Sequence, residues 1–494
     1  MNPDALKKAR AAMAAQDFAV AETIARAAIA ETPDAQAYEL LANALRAQER
    51  LEEALVAADN AVRIDSASNS AQHTRAFILS RLGRFTEALA LYDQLIARGV
   101  GQASVWLNRS VALLGLTRDA EAQAALIDGV RRWPQDQGLQ NMLASLRWMR
   151  GGGDAFARDY EAAVRREPDS LWLRIGYADL LRRADLHARA EAVLREGLQR
   201  MPASGPLQGA LGVLLDEMDR TGEGLPLLRA AVADAPNVLS VRGNLINGLL
   251  RLGRGDEALR EILPLRAAQP LNGDWVCYEA MAYRQMGDAR YHELCDYDLM
   301  VQAFDLDAPA GFGSMADFNA ALRESLNRLH VLETHPLDQS LRHGSQTTRS
   351  LLTIDDPIIK QYLRALKDPI RAYIATMQKP DHPWSGRKSD AFKFSGCWSV
   401  KLKANGYHVN HIHPEGWISS AYYVSLPEVA KSGDTQEGWI KFGEPRWPLP
   451  QCGVEKVVQP KEGRLVLFPS YMWHGTIPFS EGERLTAPFD VVPG

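Results

Sequence analysis

The sequence predicts a multidomain α + β chain. An α-helical repeat solenoid is expected over residues 1–304, a helical support segment over 305–390, and a β-sandwich or barrel over 391–494. Three observations predict it. Pro134, Pro168, Pro202, Pro236 and Pro270 recur at intervals of 34 residues. That period stops near residue 304. From Trp384 onward six of the eleven tryptophans appear, among short runs in which apolar and polar residues alternate.

The repeat register runs backwards from Pro134 through Val100 and Ser66 to Pro33, with one repeat a residue shorter, giving about eight repeats. Twelve residues before most marks stands a small residue: Ala21, Ala54, Ala88, Ala122, Ala190, Gly224, Ala258. Five before stand Ala28, Ala61, Gly129, Ala163, Gly197 and Ala231. Small side chains let paired helices approach closely, and proline ends a helix because it has no amide proton for the ladder. The pattern is similar to the tetratricopeptide repeat. That resemblance implies two antiparallel helices per unit, stacked into a solenoid whose concave face takes a protein or peptide. Gly151-Gly152-Gly153 is expected as a loop between repeats. No Gly-Lys-Ser/Thr follows it, so it is not a phosphate cradle.

Composition excludes several classes of partner. A net charge of -5 over 494 residues gives no polyanion-binding surface, so nucleic acid is not expected. Cys277, Cys295, Cys397 and Cys452 are widely spaced, which fits a reducing compartment better than a disulfide framework. The alanine-rich, charged start lacks the apolar core of a secretion signal, and no run approaches ~18 apolar residues. A cytoplasmic protein without a membrane span is expected.

Between 305 and 390 two helical stretches are expected, Phe318 to Leu329 and Ile358 to Met377, the second capped by Asp356-Pro357 and interrupted at Pro369. His343 to Arg349 reads as a polar loop between them. Beyond 390, alternation of Trp398, Val400 and Leu402 with Ser399, Lys401 and Lys403 predicts a half-buried strand. Asn405-Gly406 predicts a hairpin turn and Val409 to His413 the returning strand. Further strands are expected at Ser419 to Leu426, Trp439 to Phe442, Arg464 to Phe468 and Leu485 to Val492. Many short strands divided by turns suit a sandwich or barrel.

Chemistry concentrates in this last region. His411 and His413 stand two apart, which on a strand puts both imidazoles on one face. His474 follows 61 residues after His413, and Arg484 ten residues later. Nitrogen and oxygen ligands on one face, with positions left open, describe a non-haem Fe(II) site. Five segments here resemble the 2-oxoglutarate/Fe(II)-dependent oxygenases of the double-stranded β-helix (jelly-roll) fold. They are Gly396 to Val400, His411-Ile412-His413-Pro414, Ser420 to Val424, Leu467-Phe468-Pro469-Ser470 to His474, and Arg484-Leu485-Thr486. The resemblance is to the branch reading His-x-His-Pro where most relatives read His-x-Asp. It implies Fe(II) and 2-oxoglutarate as cofactors, His474 as the distal ligand, Arg484 with Thr486 on the far carboxylate of the oxo acid, and Tyr423 on the same molecule.

The departure from His-x-Asp leaves two ligand sets. Either His411, His413 and His474 form a three-histidine face, or the register slips to His413 and Glu415. Strand parity permits both, and Pro414 argues for the first because it interrupts a central strand. His408 has the opposite parity and is expected outside the set. The implied activity is hydroxylation of a protein or peptide recruited by the repeats. Alternatives are the same chemistry on a small molecule or saccharide, an inactive scaffold, or a cupin-like oxygenase without an oxo acid. Arg484-x-Thr486 disfavours the last.

Overall fold

A computed structural model describes residues 3–433 and 435–494, so the first two residues of the expected solenoid lie outside it. The chain forms two compact units, residues 1–147 with 157–163, and residues 148–156 with 164–494.

The first unit holds helix pairs Pro3–Ala14 and Phe18–Glu31, Ala35–Ala47 and Leu51–Ile64, Asn69–Arg81 and Phe85–Ala97, and Ala103–Gly115 and Asp119–Arg132. It also holds most of Gln137–Met149 and part of Arg158–Arg166. The second continues the pattern with Leu171–Arg183 and His187–Arg200, Gly205–Glu217 and Thr221–Asp234, Leu239–Arg251 and Gly255–Ala268, and Gly273–Met286 before the short Arg290–Leu294. The periodic prolines mark helix ends: Arg132, Arg166, Arg200, Asp234 and Ala268 each close a second helix two residues earlier. Ala21, Ala54, Ala88, Ala122, Ala190 and Ala258 have no exposed surface. At Gly224 a methyl group would sit 2.7 Å from the Gly212 carbonyl oxygen, which is why that position is glycine. One expectation is corrected. Gly151 to Gly153 lies inside a repeat, between Gln137–Met149 and Arg158–Arg166, because the prolines mark the ends of second helices and the mid-point of the register is the inner turn.

In the second unit the last repeat helices pack directly on the β region. Arg284 donates to the carbonyls of Gly443 (2.8 Å) and Gly453 (2.9 Å) and pairs with Glu455. The Tyr471 hydroxyl donates to Leu294 O at 2.6 Å. Gly273 lies so close to Pro414 that a methyl group would stand 2.7 Å from the Pro414 carbonyl oxygen. The repeat helices therefore brace the segment that carries His411 and His413.

Eleven strands are described: β1 (Gln302–Asp305), β2 (Leu341–Gln346), β3 (Phe392–Cys397), β4 (Val400–His408), β5 (Ile418–Ser425), β6 (Ile440–Phe442), β7 (Lys456–Val458), β8 (Arg464–Pro469), β9 (His474–Thr476), β10 (Arg484–Thr486) and β11 (Phe489–Pro493). An eight-stranded sheet runs β1-β8-β5-β10-β4-β2, with β11 pairing β3 and β5, and a three-stranded sheet runs β7-β6-β9. All described pairings are antiparallel. The major sheet packs on supporting helices Met315–Asn327, Pro357–Ala365 and Lys367–Ala375 through Phe318, Ile359, Tyr362, Ile370 and Tyr373, all buried. Asp356 caps the second helix by accepting from Ile358 and Ile359, and the third begins two residues before Pro369, as a proline in a first turn requires.

Several local readings change. Asn405-Gly406 is no hairpin. β4 runs through it beside β2, and the register jumps from Arg342↔Tyr407 to Gly344↔Leu402, leaving a bulge in which Asn405 takes φ +63°. Asparagine tolerates that backbone whether it makes a turn or a bulge. The polar loop at His343 to Arg349 is strand through Gln346, its polar groups satisfied by buried partners: His330 lies between Ser345 Oγ (2.9 Å) and Ser399 Oγ (3.0 Å). Leu485 to Val492 breaks into β10 and β11 at Ala487-Pro488. Val409 to His413 is an extended segment making one bridge, His411 with His474, rather than a strand. At Gly344 an added methyl group would collide with the Lys401 carbonyl and stand 3.0 Å from Leu402 Cα. Gly344→Ala is therefore expected to cost about 1–3 kcal/mol, the usual range for overpacking. Urea unfolding of the full chain checks it.

Candidate metal centre

The histidine cluster forms where the major and minor sheets meet. His411 N–H donates to His474 O (2.9 Å), His474 N–H to His411 O (3.1 Å), and His413 N–H to Ser470 O (2.8 Å). The segment carrying the first two histidines is thus laid along the chain that leads into β9. The ligand-capable nitrogens of His411, His413 and His474 all lie within 4.8 Å of one another. His411 and His474 approach to 4.2 Å between ring centroids.

Each ring is oriented through its Nδ1. His411 Nδ1 reaches the Val409 carbonyl (2.8 Å), His474 Nδ1 the Met472 carbonyl (2.9 Å), and His413 Nδ1 the Asp490 carboxylate (2.6 Å). A proton on each Nδ1 leaves each Nε2 with a free lone pair, which is the form that binds a metal. Burial, then the His413 ring beside it, pushes the His411 pKa down to about 3, and burial holds His474 well below the usual imidazole range. Both rings are neutral donors at pH 7. The donor set suits Fe(II).

Glu415 does not join them. The chain turns at His413, where Gly416 N–H donates back to His413 O at 3.0 Å, and Glu415 is exposed on the cavity wall. His408 stacks on His411 at 5.8 Å, with Ser340 Oγ 2.9 Å from its Nδ1 and 3.3 Å from His411 Nε2. It stands beside the cluster and outside it.

The histidines open into a cavity of about 860 Å³ that Arg484 and Thr486 also line. Arg484 is 2% exposed, and among the described residues no carboxylate pairs with it. One Nη donates to Thr476 Oγ1 (3.3 Å), its Nε has no partner, and its guanidinium carbon lies 5.1 Å from the Tyr423 ring. A buried guanidinium without a counter-ion is costly, so this one is a ready receptor for a carboxylate. Tyr423 is brought to Arg484 but does not line the cavity; its hydroxyl too is buried without a partner. Thr486 Oγ1 is 3.5 Å from Val400 O. The Arg484 guanidinium, buried and lining the cavity with the histidines, fits one carboxylate of a dicarboxylate beside the metal position.

Sequence reasoning missed two features. Asp490 on β11 holds His413, and the one signal for it was its even spacing from Arg484 and Thr486. Arg182 and Arg183, at the end of repeat helix Leu171–Arg183, line the same cavity, as do Arg342 and Arg446. Nothing in a repeat period announces that one repeat reaches the site.

Residues 396–490 match the family model described as "Putative 2OG-Fe(II) oxygenase", and residues 6–70 and 75–137 match the tetratricopeptide repeat model. No curated protein matches the chain. Among solved structures, a tetratricopeptide repeat protein from Parabacteroides merdae is similar at 19% identity over 50% of this chain and 98% of its own, with a TM-score of 0.34. Yeast Tom70 is similar at 15% identity over 56% of this chain and 60% of its own, with a TM-score of 0.43. A Pseudomonas putida prolyl-4-hydroxylase is similar at 18% identity over 40% of this chain and 96% of its own, with a TM-score of 0.28. The family models carry the conclusion: this chain combines tetratricopeptide repeats with a C-terminal region, residues 396–490, that matches the putative 2OG-Fe(II) oxygenase model.

Proposed function

We propose that the protein is a 2-oxoglutarate- and Fe(II)-dependent hydroxylase acting on a protein or peptide recruited by its repeat array. In this reading residues 1–304 recruit, 305–390 support, and 391–494 form the jelly-roll catalytic core. The observation that carries it is the gathering of ligand-capable nitrogens of His411, His413 and His474 within 4.8 Å of one another, on a cavity also lined by Arg484, which is buried and among the described residues has no counter-ion. His411, His413 and His474 would hold Fe(II), and Arg484 with Thr486 would hold the distal carboxylate of 2-oxoglutarate. Bound together, these cofactors supply an oxidant for a C–H bond, with release of succinate and carbon dioxide.

The chain's own part is to bind, orient and exclude water. Val409, Met472 and Asp490 fix the ring orientations; Tyr423 backs the Arg484 guanidinium; the buried β5 and β8 close the space behind them. Arg182 and Arg183 on the cavity wall support a substrate that is held by the repeats while one residue reaches the metal. Four free, buried cysteines suit a reducing cytoplasm, and no helix among the described residues is long and apolar enough to cross a membrane. The test is succinate formation from added 2-oxoglutarate by the Fe(II)-loaded full chain in air, with and without a peptide extract of the source cells. Succinate above a chelated control, raised by peptide, is expected. Metal and oxo acid bound without any succinate would leave a binding protein instead.

A further inference from the structure

A three-histidine face leaves the metal without the carboxylate of the two-histidine, one-carboxylate arrangement. The charge has not left the site. Asp490 lies directly behind His413, its Oδ2 2.6 Å from His413 Nδ1. Its other oxygen accepts from Ser419 Oγ at 2.7 Å, and Ser419 Oγ lies 2.9 Å from Ser470 Oγ. Strand pairing sets this geometry: Asp490 on β11 stands between Ser419 of β5 and Gly396 of β3. On the far side, the Trp398 indole stacks on the His413 ring at 6.1 Å with 10° between planes. The ring is held from its face and from its Nδ1.

The side chain of Asp490 is only 13% exposed, and among the described residues no lysine or arginine lies within ion-pair distance of it. A carboxylate withdrawn from water with one imidazole as partner is costly unless a positive charge stands nearby. The metal position on the opposite edge of that imidazole is where one would stand.

We propose that Asp490 is the positioning residue of this centre, supplying through the His413 ring the negative charge that a directly coordinated carboxylate would otherwise bring. The proposal rests on the three-histidine reading given above. In this arrangement Asp490 fixes the His413 tautomer, makes its Nε2 a stronger donor, and sets a negative charge behind that ring without occupying a coordination position.

The test uses the metal-free full chain and Co(II), titrated anaerobically against a chromophoric chelator, on the parent, Asp490→Asn, Asp490→Glu and Ser419→Ala. Loss of such an outer partner typically lowers metal affinity 10–100-fold. Asp490→Asn is expected to weaken Co(II) by that factor and to shift its visible absorption. Asp490→Glu should recover part of the affinity, and Ser419→Ala should lose only a few-fold. Metal-free Asp490→Asn should melt no lower than the parent, since it removes a poorly compensated buried charge. Parent-like Co(II) binding by Asp490→Asn would overturn the proposal and leave the three-histidine site standing. So would an affinity loss accompanied by a lower metal-free melting temperature, which would mark a structural role. A parent that binds no Co(II) would overturn the metal centre itself, and this proposal with it.

Discussion

His474→Ala is expected to remove tight Fe(II) binding. His474 is buried on β9, oriented by the Met472 carbonyl, and its ring centroid lies 4.2 Å from that of His411. Among the described residues no other histidine or carboxylate joins the cluster: His408 and Glu415 both lie outside it. The loss should exceed the 10–100-fold that follows removal of a mere outer partner. Anaerobic competition with a chelator measures it. The same variant should keep its fold without metal, since the pocket is framed by the paired strands and by the Arg284 and Tyr471 contacts to the repeats.

Arg484→Ala separates the two cofactors. The guanidinium is buried, has no carboxylate partner, and shares its cavity with the histidines, so its charge is available to a ligand. Breaking a buried ion pair by removing one partner costs about 3–5 kcal/mol, or a loss of roughly two to four orders of magnitude in affinity. Calorimetric titration of 2-oxoglutarate into the Fe(II)-loaded variant should show that loss, while Fe(II) affinity stays within a few-fold of the parent. Equal loss of both would mean that Arg484 holds β10 against β4 and β5 rather than holding the oxo acid.

How legible the chain was depends on what each motif encodes. The repeats were plain because a stacked solenoid forces the same small residues and helix ends to recur, and Pro134 to Pro270 record those ends directly. The turn at Gly151 was misplaced between repeats although it falls midway between Pro134 and Pro168, which close second helices, and so is the turn inside one repeat. In the β region, the histidine pair, His474 and Arg484 were visible because their chemistry needs those residue types. Their setting was less so. Asn405-Gly406 was misread because asparagine and glycine serve a bulge as well as a hairpin, and only the pairing with β2 decides between them. β2 escaped notice since His343 to Thr347 is polar, yet Ser345 and Thr347 are buried and bonded to His330 and Ser399. Asp490 escaped because its partner, the His413 ring, stands 77 residues away, and its even spacing from Arg484 and Thr486 does not point to that ring. The docking of Gly273 on Pro414 escaped because long-range packing of one glycine carries no local signal.

The most direct test of the centre is bound iron per chain after anaerobic loading, compared between His411→Ala and Glu415→Gln. The two ligand sets considered from the sequence make opposite demands on this pair. With His411, His413 and His474 as ligands, Glu415→Gln should retain one Fe(II) per chain with affinity within a few-fold of the parent, and His411→Ala should retain almost none. Iron lost from Glu415→Gln but kept by His411→Ala would contradict the three-histidine centre.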